Sequence, residues 1–261
     1  MRNASPREAA RLGTLQSLHD NSTIRLLEGL GVGPEWDCAE LGAGAGSMVG
    51  WLSDTVGVQG SVTAIDRDAS LLRELGTRRN VTVIEADLTA MSFGATCFDL
   101  VHSRSVLMHL EHPDLVLERL VPALRPGAVV LFEEADGAPA ERAVAGGEEL
   151  PAPFRDVLVP LALSWTWARG LAARLGALGL VDVHDDVRTD LLTGATPAAA
   201  FWRETLETIR PIITDVAHME SLGRSPVDDG SFDALFVLLE DPTFAVPFSA
   251  RHRVSARVSF P

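Results

Sequence analysis

The chain has 261 residues, enough to bury a sizeable core, and its 46% hydrophobic and 22% charged residues exclude disorder as its main state. A formal net charge of -14 repels phosphate backbones and argues against nucleic acid as a partner. All 22 basic residues are arginine, which excludes a Schiff-base lysine and a Walker lysine.

The amino-terminal MRNASPREAARLG has no apolar stretch ahead of a small-residue cleavage site, so it does not read as a secretory signal. No apolar run approaches the roughly 20 residues that span a bilayer, and a cytoplasmic protein without a membrane partner is expected. Residues 5–31 carry helical periodicity through Leu12, Leu15, Leu18, Ile24, Leu27 and Leu30. The polar HDNST at 19–23 predicts a break into two short helices, the second capped by Asn21 or Ser22.

From Asp37 the texture becomes short apolar runs, each followed by a turn and an amphipathic segment, the rhythm of a parallel sheet with helices on its faces. Predicted strands are CAEL (38–41), SVTAID (61–66), VTVIEAD (81–87), FDLVHS (98–103) and AVVLFEEA (128–135). GSMVGWLSDTV, ASLLRELGTR and HPDLVLERLVPAL between them predict helices. The two cysteines, Cys38 and Cys97, each open an apolar run without CxxC spacing or a histidine partner, so they read as reduced core thiols and no metal site is expected.

Residues 137–154 are rich in Ala, Gly, Pro and Glu and predict a surface connection. A long helix over about 155–178, a strand at 181–192, helices at 197–223 and 231–241, and a final strand in RHRVSARVSF complete the chain.

The run CAELGAGAGSMVGWL places Gly42, Gly44 and Gly46 between a strand and a helix, where glycines allow a tight turn and close approach to a ligand. Asp66 ends the second strand 20 residues after Gly46, where a Rossmann-type sheet puts a carboxylate on a ribose diol. Asp87 ends the third strand, and with Glu40 there is an acid at three consecutive strand ends, at the edge where such sheets bind ligands. The third glycine comes one residue too early for the dinucleotide fingerprint, and an acid at Asp87 facing an adenine amine suits a mononucleoside.

ELGAGAGS, TAIDRD, EADLTAMSF, FDLVHSRSVLMHL and LRPGAVVLFEE in this order resemble the motif set of class I S-adenosylmethionine (SAM) dependent methyltransferases, in particular their UbiE-like small-molecule group. The resemblance covers residues 36–135, and the rest only in outline. It implies an α/β, Rossmann-like sheet of seven strands in order 3-2-1-4-5-7-6, strand 7 antiparallel, with helical lid elements. It implies SAM as cofactor and S-adenosylhomocysteine (SAH) as product. Gly42, Gly44 and Gly46 would pass under the methionine part, Glu40 would reach its amino group, and Asp66 would accept the ribose hydroxyls. Arg67 would lie along an adenine face, Asp87 would accept from N6, and the Leu88 amide would serve N1. Ser103 would offer its carbonyl to the amine, and Arg104 would border the site.

The chemistry needs an acceptor aligned with an already activated methyl group, and a base helps when the acceptor is a hydroxyl or an ammonium. His102 and His109, with Asp136 at the end of the fifth strand, are the catalytic candidates, and Glu133 and Glu134 precede Asp136 in the same run. His218 and His19 lie where they could reach an acceptor from above. Neither a magnesium-binding constellation nor an Asn-Pro-Pro-aromatic motif follows the fourth strand, which points to a small metabolite methylated without metal. Trp165, Trp167, Phe201, Trp202, His218 and Met219, with Phe154, predict an apolar acceptor pocket.

The expected organisation is one domain over 1–261: an amino-terminal helical lid (1–34), a SAM-binding half (36–136), and a substrate-side half (137–261) capped by helix near 197–223. The expected function is methyl transfer to a hydroxyl, amine or carbon of a small apolar metabolite, in bacterial secondary metabolism, by a monomer or homodimer. The alternatives are a SAM-fold cyclase or pericyclase and a SAM-binding regulatory protein.

Overall fold

The computed structural model describes residues 5–94, 98–221 and 226–260, apart from the side chains of His218 and Ser221. Cys97 and the His218 side chain, both given roles above, lie outside the described residues. Seven strands form one mixed sheet in the order β3-β2-β1-β4-β5-β7-β6, as the motif resemblance implies. They are β1 Asp37–Leu41, β2 Ser61–Asp66, β3 Val81–Glu85, β4 Phe98–Arg104, β5 Leu124–Asp136, β6 Leu180–Thr193 and β7 Ala245–Val258. β1 to β5 pair in parallel, so their carboxyl ends share one edge.

The first helix, α1 (Pro6–Gly29), is continuous, and the predicted break at HDNST does not occur. The Ser22 hydroxyl bonds back to the His19 carbonyl inside the helix and the Thr23 hydroxyl donates to Glu133 of β5, so these polar residues are satisfied without ending it. Ser5 caps the helix instead of Asn21 or Ser22, accepting from the Glu8 amide at 3.1 Å. α2 (Ser47–Val56) and α3 (Pro113–Leu120) follow their predicted segments, whereas ASLLRELGTR forms two short 3-10 turns, Ala69–Leu72 and Leu75–Thr77. The connection over 137–154 is largely helical, with α4 (Ala138–Ala145) and the start of α5 (Ala152–Ala162), because alanines favour helix and a proline opens each first turn. The single helix expected over 155–178 is α5, a 3-10 turn at Trp167–Gly170 and α6 (Leu171–Ala177). The last helices are α7 (Pro197–Ile213), α8 (Val216–Ser221) and α9 (Asp229–Glu240).

The chain divides into two compact units, neither of which coincides with the expected halves 36–136 and 137–261. Unit 1 takes residues 1–135, 167–187 and 251–261, and unit 2 takes 136–166 and 188–250. In unit 1 the alternation of the strands sends side chains to two cores. Cys38, Leu100, Val129 and Leu131 meet Leu27 of α1 and Met48, Val49 and Leu52 of α2 on one face. Leu41, Val101, Val130 and Phe132 meet Val116 and Leu117 of α3 and Leu171 of α6 on the other. Unit 2 is helical, with α5 and α7 packed on α9 and Phe154, Leu158, Phe232 and Leu235 fully buried.

Candidate cofactor and catalytic site

At the end of β1 the chain turns through Gly42, Gly44 and Gly46, whose φ values of 68°, 56° and 83° lie in the left-handed region that favours glycine. A Cβ on Gly42 would stand 2.2 Å from Val106 Cγ2, and one on Gly46 would stand 2.3 Å from Leu75 Cδ1, so both are held close by side chains. Gly42→Ala combines a left-handed penalty of roughly 1–2 kcal/mol with this overlap, and the melting temperature should fall by at least about 5 °C. An unchanged thermal melt would show that Val106 moves aside.

The loop is anchored to the second strand end. Asp66 accepts from the Gly44 amide at 2.7 Å and the Asp68 amide at 2.9 Å, fixing its carboxylate beside the loop. Asp87 is exposed, and its Oδ1 accepts from the amide and hydroxyl of Thr89 at 2.8 and 2.6 Å. The Thr89 bonds, with Arg67 nearby, hold the Asp87 carboxyl below its ordinary range, so it is ionised at neutral pH. Arg67 is exposed, while the Leu88 side chain is buried in the α3-side core. Ser103 is buried, its hydroxyl donating to the Leu41 carbonyl at 3.2 Å. A cavity of about 440 Å³ bounded by Gln16, Ala45, Gly46, Ser47 and Arg78 borders the loop but touches none of Glu40, Asp66, Asp87 or Ser103.

Beneath α1 the carboxyl end of the sheet carries a buried polar layer. β1 and β4 pair Glu40 with His102, and β4 and β5 pair Arg104 with Glu133, so alternation puts all four on one face. His102 Nδ1 stands 2.6 Å from Glu40 Oε2, and Nε2 stands 3.6 Å from Glu133 Oε2. The Thr23 hydroxyl donates to Glu133 at 2.5 Å and accepts from Arg104 at 2.9 Å, and Arg104 also bonds Asp20 at 2.7 Å. Burial opposes a charge on His102, but Glu40 and Glu133 outweigh it and push the imidazole up to about 9. Burial likewise opposes the Glu133 carboxylate, yet His102, Thr23 and Arg104 hold it down to about 2.

The expected bases differ in their surroundings. His102 is wholly inaccessible, and its carboxylate neighbours favour its protonated form. Glu133 is committed to the same layer. Glu134 is fully buried and accepts from the amides of Val106, Leu107 and Met108 at 3.2, 3.0 and 3.2 Å, which shapes the turn after β4. Burial pushes its carboxyl up to about 7 against those amides. Asp136, 1% exposed, accepts from the Ala138 amide at 2.8 Å and holds the turn into α4. His109 ends the 3-10 turn Leu107–His109 with its ring open to solvent, and crowding by the surrounding chain, with Arg11 nearby, lowers its pKa. It is therefore neutral at pH 7, with its ring accessible to solvent. His19 accepts from Arg251 at 2.9 Å, and burial with Arg251 and Arg104 brings its pKa down to about 3.

The expected pocket residues separate. Trp167 belongs to unit 1, where its indole donates to Asp114 at 3.2 Å and the Arg174 guanidinium lies 5.1 Å from its ring, so it fastens the 3-10 turn to α3. In unit 2, Trp165, Phe201, Trp202, Phe154, Phe244 and Phe248 form one aromatic cluster, with Trp202 and Phe248 rings 4.7 Å apart at 90°. Phe154 and Phe248 are its buried centre, Phe201 and Trp202 its half-buried margin. Met219 is buried on α8. Phe244 and Phe248 carry no sequence signal for this cluster, because they fall at and beside an alternating strand outside the motif block.

A family model described as a methyltransferase domain matches residues 39–132, which contain the glycine loop, both strand-end aspartates and Glu40, His102 and Arg104 of the polar layer. This part of the chain, under half of its length, is similar to SAM-dependent methyltransferases. The ubiquinone/menaquinone biosynthesis C-methyltransferase UbiE of Shewanella piezotolerans is 27% identical over 115 residues, 41% of this chain and 46% of that protein. The match thus spans under half the length of the curated relatives. Among solved structures, phosphoethanolamine N-methyltransferase 2 of Haemonchus contortus, bound to phosphomonomethylethanolamine and SAH, matches 92% of this chain and 53% of its own, with a TM-score of 0.57 and 18% identity. The [4+2]-cyclase SpnF matches 91% of this chain and 81% of its own, with a TM-score of 0.52 and 17% identity. These structural likenesses are of fold.

Proposed function

We propose that this chain transfers a methyl group from SAM to a small organic acceptor. The observation that carries the reading is the Asp66 carboxylate fixed to the Gly44 amide at the joint carboxyl edge of β1 and β2, with ionised Asp87 at the neighbouring strand end. The residues fit a nucleoside with an amino-acid tail. Gly44 leaves room where a Cβ would meet Leu12 at an ordinary 3.8 Å and the Gly42 carbonyl at 3.9 Å, and Asp66 and Asp87 supply carboxylate acceptors for a diol and an exocyclic amine. Asp87 receives both Thr89 bonds on Oδ1 and so offers its other oxygen. Glu40, one end of a layer with two carboxylates to one imidazolium, suits an ammonium.

When bound, SAM supplies a methyl group on sulfonium sulfur, already activated toward nucleophiles. The chain's share is to bind, align and exclude water. His109, neutral and accessible, is the residue placed to take a proton from a hydroxyl or ammonium acceptor. Within unit 2, the half-buried Phe201 and Trp202 at the margin of the aromatic cluster are a surface suited to an apolar ligand. The net charge of -14 supports a small metabolite over nucleic acid, and a cytoplasmic role in bacterial secondary metabolism suits this reading.

Methyl transfer must release SAH in a one-to-one ratio with methylated product. Incubation of the full chain with methyl-labelled SAM and a panel of apolar hydroxyl and amine metabolites should give a product heavier by one labelled methyl group. A product formed without any SAH would instead support a cyclase that uses the same fold.

A further inference from the structure

We infer that His102 is a positioning residue, which fixes Glu40 for the cofactor's ammonium and couples that carboxylate to the docking of α1 through Glu133 and Thr23. The inference rests on the cofactor reading above and goes beyond it, since it assigns distant residues a part in cofactor affinity.

The polar layer is a chain of contacts with two ends. One end is Glu40, at the close of β1 beside the glycine loop; the other is Asp20 and Thr23 on α1. Between them stand His102, Glu133 and Arg104, each buried or nearly so, and each contact pairs a donor with a charged or hydroxyl acceptor. Such networks act as units, because removing one member leaves the next buried group unpaired. Thr23 has one hydroxyl proton and two acceptors in reach, Glu133 at 2.5 Å and the His19 carbonyl at 3.3 Å. The nearer carboxylate takes it, which leaves the oxygen's lone pairs for Arg104.

Two fully buried atoms in this chain have no partner: His102 Nε2 and Glu133 Oε1. They mark the slack link, the 3.6 Å gap between the two side chains, just beyond hydrogen-bond length. With α1 docked, Thr23 and Arg104 hold Glu133 opposite His102, and the imidazolium holds Glu40. Without the imidazolium, Glu40 and Glu133 would be two buried carboxylates flanking one strand, each driven toward protonation or rotation. A merely packing role for the layer would change stability and leave cofactor affinity alone.

The test is calorimetric titration of SAH into the full chain and three variants. His102→Gln should weaken SAH about tenfold, the loss of one charge-assisted contact. Thr23→Val, the same shape without the hydroxyl, should weaken it about threefold. The double variant should bind no more weakly than His102→Gln alone, since both act through one chain. Wild-type affinity should also fall as pH rises through 9, and more steeply than in His102→Gln, where only the loss of the ligand's own ammonium proton remains. The charged and titratable groups around His102 in that titration are Glu40 on β1, Glu133 on β5, Arg104 on β4, Asp20 and His19 on α1, and Arg251 on β7. Wild-type affinity for SAH in His102→Gln, or additive losses in the double variant, would overturn the coupling. If His102→Gln does not fold, a wild-type affinity flat from pH 8 to 10 overturns it. Failure of the wild-type chain to bind SAH at all would instead defeat the cofactor reading on which the coupling rests.

Discussion

The unfolding free energy of the wild-type chain should fall by about 2–3 kcal/mol between pH 7 and 9, and His102→Gln should abolish most of that fall. The folded pKa of His102 is raised to about 9 from an ordinary 6.5. A raised histidine contributes stability that is fully present below 6.5 and is lost as pH rises through the folded value. The window is therefore neutral to mildly alkaline. Glu133 reports the same contact from its acid side: with its carboxyl held down to about 2, its contribution is present above 4.5 and disappears as pH falls through 2. The two descriptions share one interaction and are not summed. Glu134, pushed up to about 7, lowers stability as pH rises from 4.5 to 7, and His19, near 3, raises it from 3 to 6.5. His19 has finished by pH 7, but Glu134 is only half titrated there and the raised Cys38 thiol adds a fall near pH 9, so the part of the slope at pH 7, 8 and 9 that His102→Gln removes is the part assigned to His102. A slope kept in His102→Gln would assign the pH dependence elsewhere. The variant also leaves Glu40 and Glu133 facing each other without a cation, so at pH 7 it should lose about 3–5 kcal/mol outright, the usual cost of breaking a buried pair.

The sheet was legible because its signals are local and repeated: apolar runs of strand length, each closed by an acid or glycine, alternate with amphipathic segments. The glycine loop and Asp66 were legible because backbone turns and strand-end carboxylates depend on sequence position alone. The roles of His102 and Glu133 were not. Both lie at strand ends, and from the sequence a strand-end histidine reads as exposed to a ligand. What removes it from solvent is α1, 80 residues earlier, whose Thr23 and Asp20 sit in the HDNST segment that local propensity marks as a break. A polar cluster inside a helix is a weak helix former on its own, and it becomes stable here because the sheet edge supplies its partners. The same long-range dependence hid the division into two units, since 167–187 and 251–261 return to the first. Trp167 reads as a pocket aromatic until its partners Asp114 and Arg174 are known.

Asp66→Ala should lower SAH affinity by about 100-fold, the largest single loss among the strand-end acids. The carboxylate is the proposed acceptor for two ribose hydroxyls, and hydrogen bonds to a charged group contribute about 1.5–3 kcal/mol each. It also holds the Gly44 and Asp68 amides at 2.7 and 2.9 Å, so its loss frees the loop that must lie under the ligand. Asp66→Asn retains one acceptor oxygen for the Gly44 amide and should keep the loop closed while weakening the ribose contact. Its affinity should fall about tenfold, between wild type and alanine. Asp87→Ala should cost about tenfold, because Asp87 is exposed and serves a single amine. The two effects should add, since the aspartates close different strands and anchor different turns, Asp66 at the Gly44 and Asp68 amides and Asp87 at Thr89. Calorimetric titration of SAH into each variant, with a thermal melt as control, separates ligand contact from loop integrity. An unchanged affinity in both alanine variants would place the nucleoside elsewhere on the sheet edge. A loss confined to Asp66→Ala, with Asp66→Asn at wild-type affinity, would mean that Asp66 serves the loop and not the ribose.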